Sequence, residues 1–360
     1  MNKKSVIVVI MATILVGLGY FYIARKTTGE NNVFMMLKDK VFSTPEEPVN
    51  VIICWTPLQM VIAEKLIEKH PTEKFYTIMM SYNKNKTYEY YFNRLKSKSL
   101  KAYSFYFNES PDTRNFVYTA LLELKLKAAL LPSDIKTFYF ANMEKPEIHT
   151  ILSSFPDAEI KTFDDGTANL VNSHIVEKGE YTPKNGRILY KYLNQYTKEK
   201  VKNKISEHYT IFYGIPNMME KIRGEKLKIT HIELFDATKK KKETEIKDSI
   251  SILLGVPEPS SLKETLEKIA KDFDIKYTAK HPRQEYDVDG VELIKTELII
   301  EDYILQEIEK NPNRLYKIYS LFSSAGLIMK DFPNVEIINL ETKEGVARKE
   351  LKQLFELQGM

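Results

Sequence analysis

From residue 49 onward, short unbroken apolar runs alternate with longer segments of helical periodicity, and this constrains the fold more than any other feature. The first run, residues 49–55 (VNVIICW), suits a strand buried on both faces. Thr56-Pro57 follows at once, a hydroxyl N-cap with proline at the first helical position. Residues 58–70 then space their apolar side chains helically through Leu58, Val61, Ile62 and Leu66. Further strand-like runs occupy 75–80, 102–107, 135–141 and 158–163, with helical candidates at 87–96, 115–131 and 146–155. Residues 209–213 and 229–235 read as two more strands, while 181–207, rich in Lys, Tyr and Asn, shows no clear period. A second alternating unit has strands at 250–254, 275–279, 315–322 and 335–340, and helices at 261–273, 301–309 and 347–357. Strands alternating with helices imply a parallel sheet covered on both faces. The expected class is α/β, as two such units with a cleft between them. Open sheets of this kind bind ligands at the carboxyl ends of their strands.

The first residues follow another pattern. Residues 5–24 carry no charge and are long enough to cross a bilayer core as a helix. Tyr20 and Tyr22 stand near the end of the run, where interfacial aromatics are favoured. The run exceeds a usual signal-peptide core and no small-x-small site follows it, so an uncleaved single-pass anchor is expected. Arg25, Lys26, Lys38 and Lys40 outnumber Lys3 and Lys4, which favours a cytoplasmic body. The chain then divides into an anchor (1–28), a tether (29–48), a first α/β domain (49–236), a basic linker (237–249) built on Lys239–Lys242, and a second α/β domain (250–360). The single cysteine, Cys54, excludes an intramolecular disulfide. A formal charge of +4 spread over 360 residues gives no argument for nucleic acid.

Two polar motifs sit at the ends of apolar runs. Asp164-Asp165-Gly166 leaves the run at 158–163, and its glycine permits a tight turn. A carboxylate there can take a proton from a hydroxyl nucleophile, or the pair can merely form an Asp-Gly turn before a helix. An Asp-x-Asp-Gly-Thr phosphatase would need an aspartate where Phe163 stands, so its nucleophile is missing. His281-Pro282-Arg283 leaves the run at 275–279, and Pro282 holds the backbone of His281 extended. His281, assisted by Arg283, can stabilise charge on a departing phosphate, or can be a structural loop histidine. Ser323-Ser324 ends another strand, where hydroxyls can bind phosphate or cap the next helix. Thr56 and Gln59 repeat that geometry in the first unit, with Gln59 able to reach the cleft. The other five histidines (His70, His149, His174, His208, His231) lack metal-ligand spacing. No Walker, Gly-x-Gly-x-x-Gly, Gly-x-Ser-x-Gly or His-Glu-x-x-His sequence occurs.

In this order, Ile-Cys-Trp-Thr-Pro-Leu-Gln at 53–59, Asp-Asp-Gly, His-Pro and Ser-Ser resemble the bacterial sialyltransferases of glycosyltransferase family 52, over roughly residues 50–360. The resemblance implies a GT-B-like fold of two Rossmann-type domains. It also implies a CMP-sialic acid donor, a galactose-terminated glycan acceptor, and inverting transfer without a metal or other cofactor. Asp164 or Asp165 would be the base. His281 would contact the CMP phosphate and act as acid, with Ser323 and Ser324 on that phosphate. Glu301 matches an acidic residue that holds the ribose hydroxyls. Glu258, in a Pro-Glu-Pro loop one helix before His-Pro, occupies the place of a catalytic acid in some members. Thr56, Gln59, Gly166, Pro282 and Arg283 complete the expected donor site. The bacterial inner membrane and a homodimer are further expectations by analogy. The alternatives are a GT-B transferase using another nucleotide sugar and a non-catalytic, membrane-tethered glycan-binding module.

Overall fold

The computed structural model describes residues 47–106, 126, 129–130, 134–170, 196–222, 226–235, 245–256, 262–321, 323–341 and 349–360. The expected anchor at 5–24, most of the tether, the Lys239–Lys242 block, Glu258 and most of the helix expected at 115–131 lie outside these residues. Among the described residues no helix is long and apolar enough to cross a membrane.

The first unit contains β1 (Val49–Cys54), α1 (Pro57–Lys69), β2 (Phe75–Ser81), α2 (Lys86–Lys98), β3 (Lys101–Tyr106) and β4 (Ile135–Phe140). It continues through α3 (Pro146–Ser154), β5 (Glu159–Phe163), α4 (Lys198–Lys204), β6 (Ile205–Thr210) and β7 (Lys228–His231). The second unit contains β8 (Asp248–Leu254), α5 (Lys263–Asp272), β9 (Tyr277–Ala279), β10 (Glu292–Leu293) and α6 (Ile300–Lys310). It ends with β11 (Arg314–Ser320), α7 (Ser324–Met329), β12 (Val335–Asn339) and α8 (Lys349–Leu357).

The seven strands of the first unit pair in the order β3-β2-β1-β4-β5-β6-β7, and the five of the second in the order β10-β9-β8-β11-β12. Every pairing is parallel. The shared pattern is that of doubly wound sheets. The strand order reverses between β1 and β4 in one sheet and between β8 and β11 in the other, and such reversals open a crevice at the strand carboxyl ends.

Period-2 geometry explains why the central strands carry apolar residues on both faces. Val49, Val51 and Ile53 enter the core on one side of β1, while Ile52 and Cys54 enter a second core with α1 and α2. The second sheet divides likewise: Ile252 and Ile318 face one cluster, Leu253 and Tyr319 another. The fourth cluster joins the units, with Leu170, Phe212 and Ile215 of the first packing on Leu327, Leu354 and the fully buried Phe355 of the second. Burial also pushes the Cys54 thiol up, which suits a packing residue rather than a nucleophile.

Several elements depart from the sequence reading, among them β7, which stops at His231 where a strand to 235 was expected. The strand expected at 209–213 is β6, which begins at Ile205 directly after α4 and ends at Thr210. The backbone leaves the ladder there because the Ile211 amide donates to the Asp164 carboxylate, 2.8 Å away. The two-residue β10 is too short to carry a periodic signal, and it pairs with β9 at one edge of the second sheet.

Candidate active site

A cavity of about 960 Å³ opens between the two sheets. Thr56, Asn85, Tyr88, Asp165 and Gly166 line it from the first unit, and Gly255, His281, Arg283, Glu301 and Ser324 from the second. Most of these residues follow the carboxyl end of a strand, as the two sheet topologies require. Volumes of this order accommodate a ligand of nucleotide-sugar size.

The adjacent aspartates are placed differently. Asp165 lines the cavity, and its two oxygens are held by separate donors: Gln59 Nε2 at 2.7 Å on Oδ1 and Asn142 Nδ2 at 2.8 Å on Oδ2. Gln59 Nε2 also donates to Asn142 Oδ1 at 3.0 Å, and its Oε1 accepts from the Trp55 amide at 2.7 Å. The bridge from Gln59 to Asn142 thus spans the β1/β4 switch point and aims Asp165 into the cavity. Gln59 is only 1% exposed, which corrects the expectation that it reaches the cleft: it is a support for Asp165. Asn142 had no motif to mark it beyond its place just past β4, opposite the Thr-Pro turn.

Asp164 faces inward and has no exposed surface, so of the two candidate bases it is the one away from the cavity. Its Oδ1 accepts from His208 Nε2 at 2.9 Å, Asn217 Nδ2 at 3.1 Å and Asn169 Nδ2 at 3.3 Å. Its Oδ2 accepts from the Thr210 hydroxyl at 2.7 Å and the Ile211 amide at 2.8 Å. Burial alone would raise its pKa, but His208 and the other donors outweigh it and hold the carboxyl below its ordinary value. Asp164 therefore ties the ends of β5 and β6 together. Gly166, at φ +55°, makes the turn that separates the two carboxylates.

The His-Pro-Arg loop leaves β9, which neighbours β8 of the second switch point. The Arg283 amide donates to His281 Nδ1 at 3.1 Å, so in the neutral ring the proton sits on Nε2. Burial, then the nearby Arg283 charge, lowers the His281 pKa to about 4, so the ring is neutral at pH 7. This corrects the option of a cationic His281 in the unliganded protein: the group is a neutral N–H donor, until a bound anion favours its protonation. Gln284 folds the loop back, its amide donating to the His281 carbonyl at 2.8 Å and its Nε2 to the Tyr286 carbonyl at 2.9 Å. Gly255, at the end of β8, lets this loop pack against it. A Cβ there would overlap Gln284 Oε1 and lie 2.8 Å from the His281 amide nitrogen.

Glu301 enters from the first turn of α6, 5% exposed, and burial raises its pKa to about 7. Ser323 caps α7, its hydroxyl accepting from the Ala325 amide at 3.2 Å. That bond realises the helix-capping option for Ser323, and both Ser323 and Ser324 line the cavity. A Cβ on Gly166 would lie 2.9 Å from Ser324 Oγ, so the glycine lets the two walls meet. Thr56 lines the cavity while its hydroxyl caps α1, accepting from the Gln59 amide at 3.3 Å. Pro282 and Arg283 also line the cavity. No group of three or more His, Cys, Asp or Glu that could hold a metal occurs among the described residues.

The chain is 44% identical to an N-acetyllactosaminide alpha-2,3-sialyltransferase of Neisseria meningitidis, over 95% of this chain and 92% of the relative. It is 32% identical to a CMP-N-acetylneuraminate:beta-galactoside alpha-2,3-sialyltransferase of Pasteurella multocida, over 81% and 91%. An N-acetyllactosaminide alpha-2,3-sialyltransferase of Haemophilus influenzae matches at 29% identity over 82% and 92%. The model of Glycosyltransferase family 52 matches residues 72–344, a span holding the Asp-Asp-Gly, His-Pro and Ser-Ser motifs. The chain belongs to glycosyltransferase family 52, the family its motifs resemble, and is a glycosyltransferase.

Proposed function

We propose that the protein transfers sialic acid from CMP-sialic acid to a terminal galactose of a bacterial surface glycan, with inversion and without a metal. The observation that carries this reading is the placement of Asp165 and His281 on opposite walls of one cavity. The activities of the relatives support the choice of sugar, donor and acceptor. In the reaction, Asp165 takes the proton of the acceptor hydroxyl. The oxygen bonds to the anomeric carbon as the bond from that carbon to the phosphate oxygen breaks. CMP leaves, and the His281 Nε2–H, with Ser324 and Arg283, stabilises the charge it carries away. In this reading Glu301, which lines the cavity, accepts from the ribose hydroxyls. The architecture in this reading is GT-B, with an anchor at residues 5–24 holding the body at the cytoplasmic face of the inner membrane. Closure between the units excludes water and limits donor hydrolysis.

The test is ligand-induced stabilisation followed by turnover. CMP and CMP-sialic acid raise the melting temperature, whereas UDP and GDP do not. Asp165→Asn lowers kcat by about 10²–10⁴-fold with CMP affinity retained. Stabilisation by UDP alone would point to another nucleotide sugar. A fully active Asp165→Asn enzyme that fails on Glu258→Gln would move the base to Glu258. Absence of any nucleotide effect would overturn this transferase mechanism.

A further inference from the structure

One helix of the first unit grips both segments that bring the second unit to the cavity. At the start of α2, Asn85 uses its side chain twice. Its Oδ1 accepts from the Tyr88 amide at 3.1 Å and caps the helix, while its Nδ2 donates to the Pro282 carbonyl at 3.1 Å. Further along α2, the Tyr91 hydroxyl donates to Asp302 Oδ2 at 2.5 Å and accepts from the Ile299 amide at 3.1 Å. One turn on, Arg94 forks between the units: Nη1 lies 2.9 Å from Asp302 Oδ2 and Nη2 2.5 Å from Glu64 Oε2. Tyr91 and Arg94 are three residues apart and so share one helix face. Tyr91 is 1% exposed and Glu64 5%, whereas the Arg94 side chain is 34% exposed and that of Asp302 15%, so the Tyr91 end of the contact is shielded from water and the Arg94 end is partly solvated. Lys98 braces Glu64 from the far side at 2.5 Å.

The residues gripped are telling. Pro282 is next to His281, and Asp302 is next to Glu301, with Ile299 lining the same cavity. A ligand of nucleotide-sugar size enters between the units, and separating them strains all of these bonds at once.

We propose that α2, through Asn85, Tyr91 and Arg94, is an interdomain clasp that sets the closed position of the His281 loop and of the α6 N-terminus. The three are positioning residues that act through His281 and Glu301. That these segments form the donor site rests on the proposed sialyl transfer; the clasp itself does not.

The test uses the full chain with spin labels at the exposed positions K69C and K271C, one on each unit. Asn85→Asp keeps the capping oxygen and replaces the donor to the Pro282 carbonyl with a charged acceptor that repels it. Tyr91→Phe keeps the ring and removes only the hydroxyl. The unsubstituted clasp gives one narrow distance distribution, and the Asn85→Asp/Tyr91→Phe double variant gives a broader and longer one. In the same variant the Kd for CMP rises about tenfold or more, and KM for the donor rises by more than kcat falls. Asn85→Asp alone, whose cap is intact, shows a smaller change in the same direction. A double variant that is folded by circular dichroism and keeps the narrow distribution overturns the clasp, whatever happens to CMP. A labelled wild-type chain that ignores CMP overturns the donor reading instead, and the distance measurement still judges the clasp.

Discussion

At Asp164 both carboxylate oxygens are spent inside the protein, on His208, Thr210, Ile211, Asn169 and Asn217. Replacing it with Asn leaves donors facing a donor, so Asp164→Asn should cost on the order of 3 kcal/mol in urea unfolding. The sign with pH follows from its lowered pKa. The stabilisation is present above the ordinary carboxyl value of 3.8 and is lost as pH falls through the lower folded value. Glu301 runs the other way. Its pKa is raised from 4.5 to about 7, so its contribution is intact below pH 4.5 and is lost as pH rises through 7. Glu301→Gln should therefore stabilise the unliganded protein at pH 8, by up to about 3 kcal/mol, and leave it nearly unchanged at pH 4.5. Chemical denaturation carried from below pH 3.8 up to pH 8 checks both. Asp164, Asp165, His281 and Glu301 were all legible in the sequence, by motif or by resemblance. The direction each side chain takes was not, because it depends on partners such as Asn142 and His208, 23 and 44 residues away in the chain.

Among the elements, the end of β8 shows how little room the second switch point leaves. Gly255 donates its amide to the Ala279 carbonyl at 2.8 Å, and the His-Pro loop then covers its α-carbon. A methyl group at Gly255 would push Gln284 and His281 out of place. Gly255→Ala should thus weaken CMP binding about tenfold or more, measured by calorimetry, while the strands of the second sheet persist by circular dichroism. The strands themselves were readable because burial on both faces favours unbroken apolar runs such as residues 51–54 and 252–254. Their ends were less so. The apolar run from Tyr209 looks like a strand, yet Asp164 captures the Ile211 amide and turns the chain away. No local pattern encodes that capture, and none marks the two residues of β10.

For the whole molecule, two sheets of the same winding order set their switch points face to face, and the surfaces that join them are of two kinds. One is apolar, where Phe355 of α8 inserts among Leu170, Phe212 and Ile215. The other is polar, where α2 grips Pro282, Ile299 and Asp302. Phe355→Ala removes the most deeply buried side chain of the first joint and should cost about 3–5 kcal/mol, read as a lowered urea midpoint. The α/β duplication was legible from the alternation of apolar runs. The joints were not, since their partners lie roughly 200 residues apart and carry no shared motif. The central claim is that Asp165 and His281 act on opposite faces of one sialyl group. Nuclear magnetic resonance of the full chain turning over CMP-sialic acid with a galactose-terminated acceptor tests it most directly. The expected result is release of one CMP per sialylated product, with the anomeric configuration opposite to the donor's, and loss of that product in Asp165→Asn and His281→Ala. Retained configuration, or undiminished turnover in both variants, would contradict it.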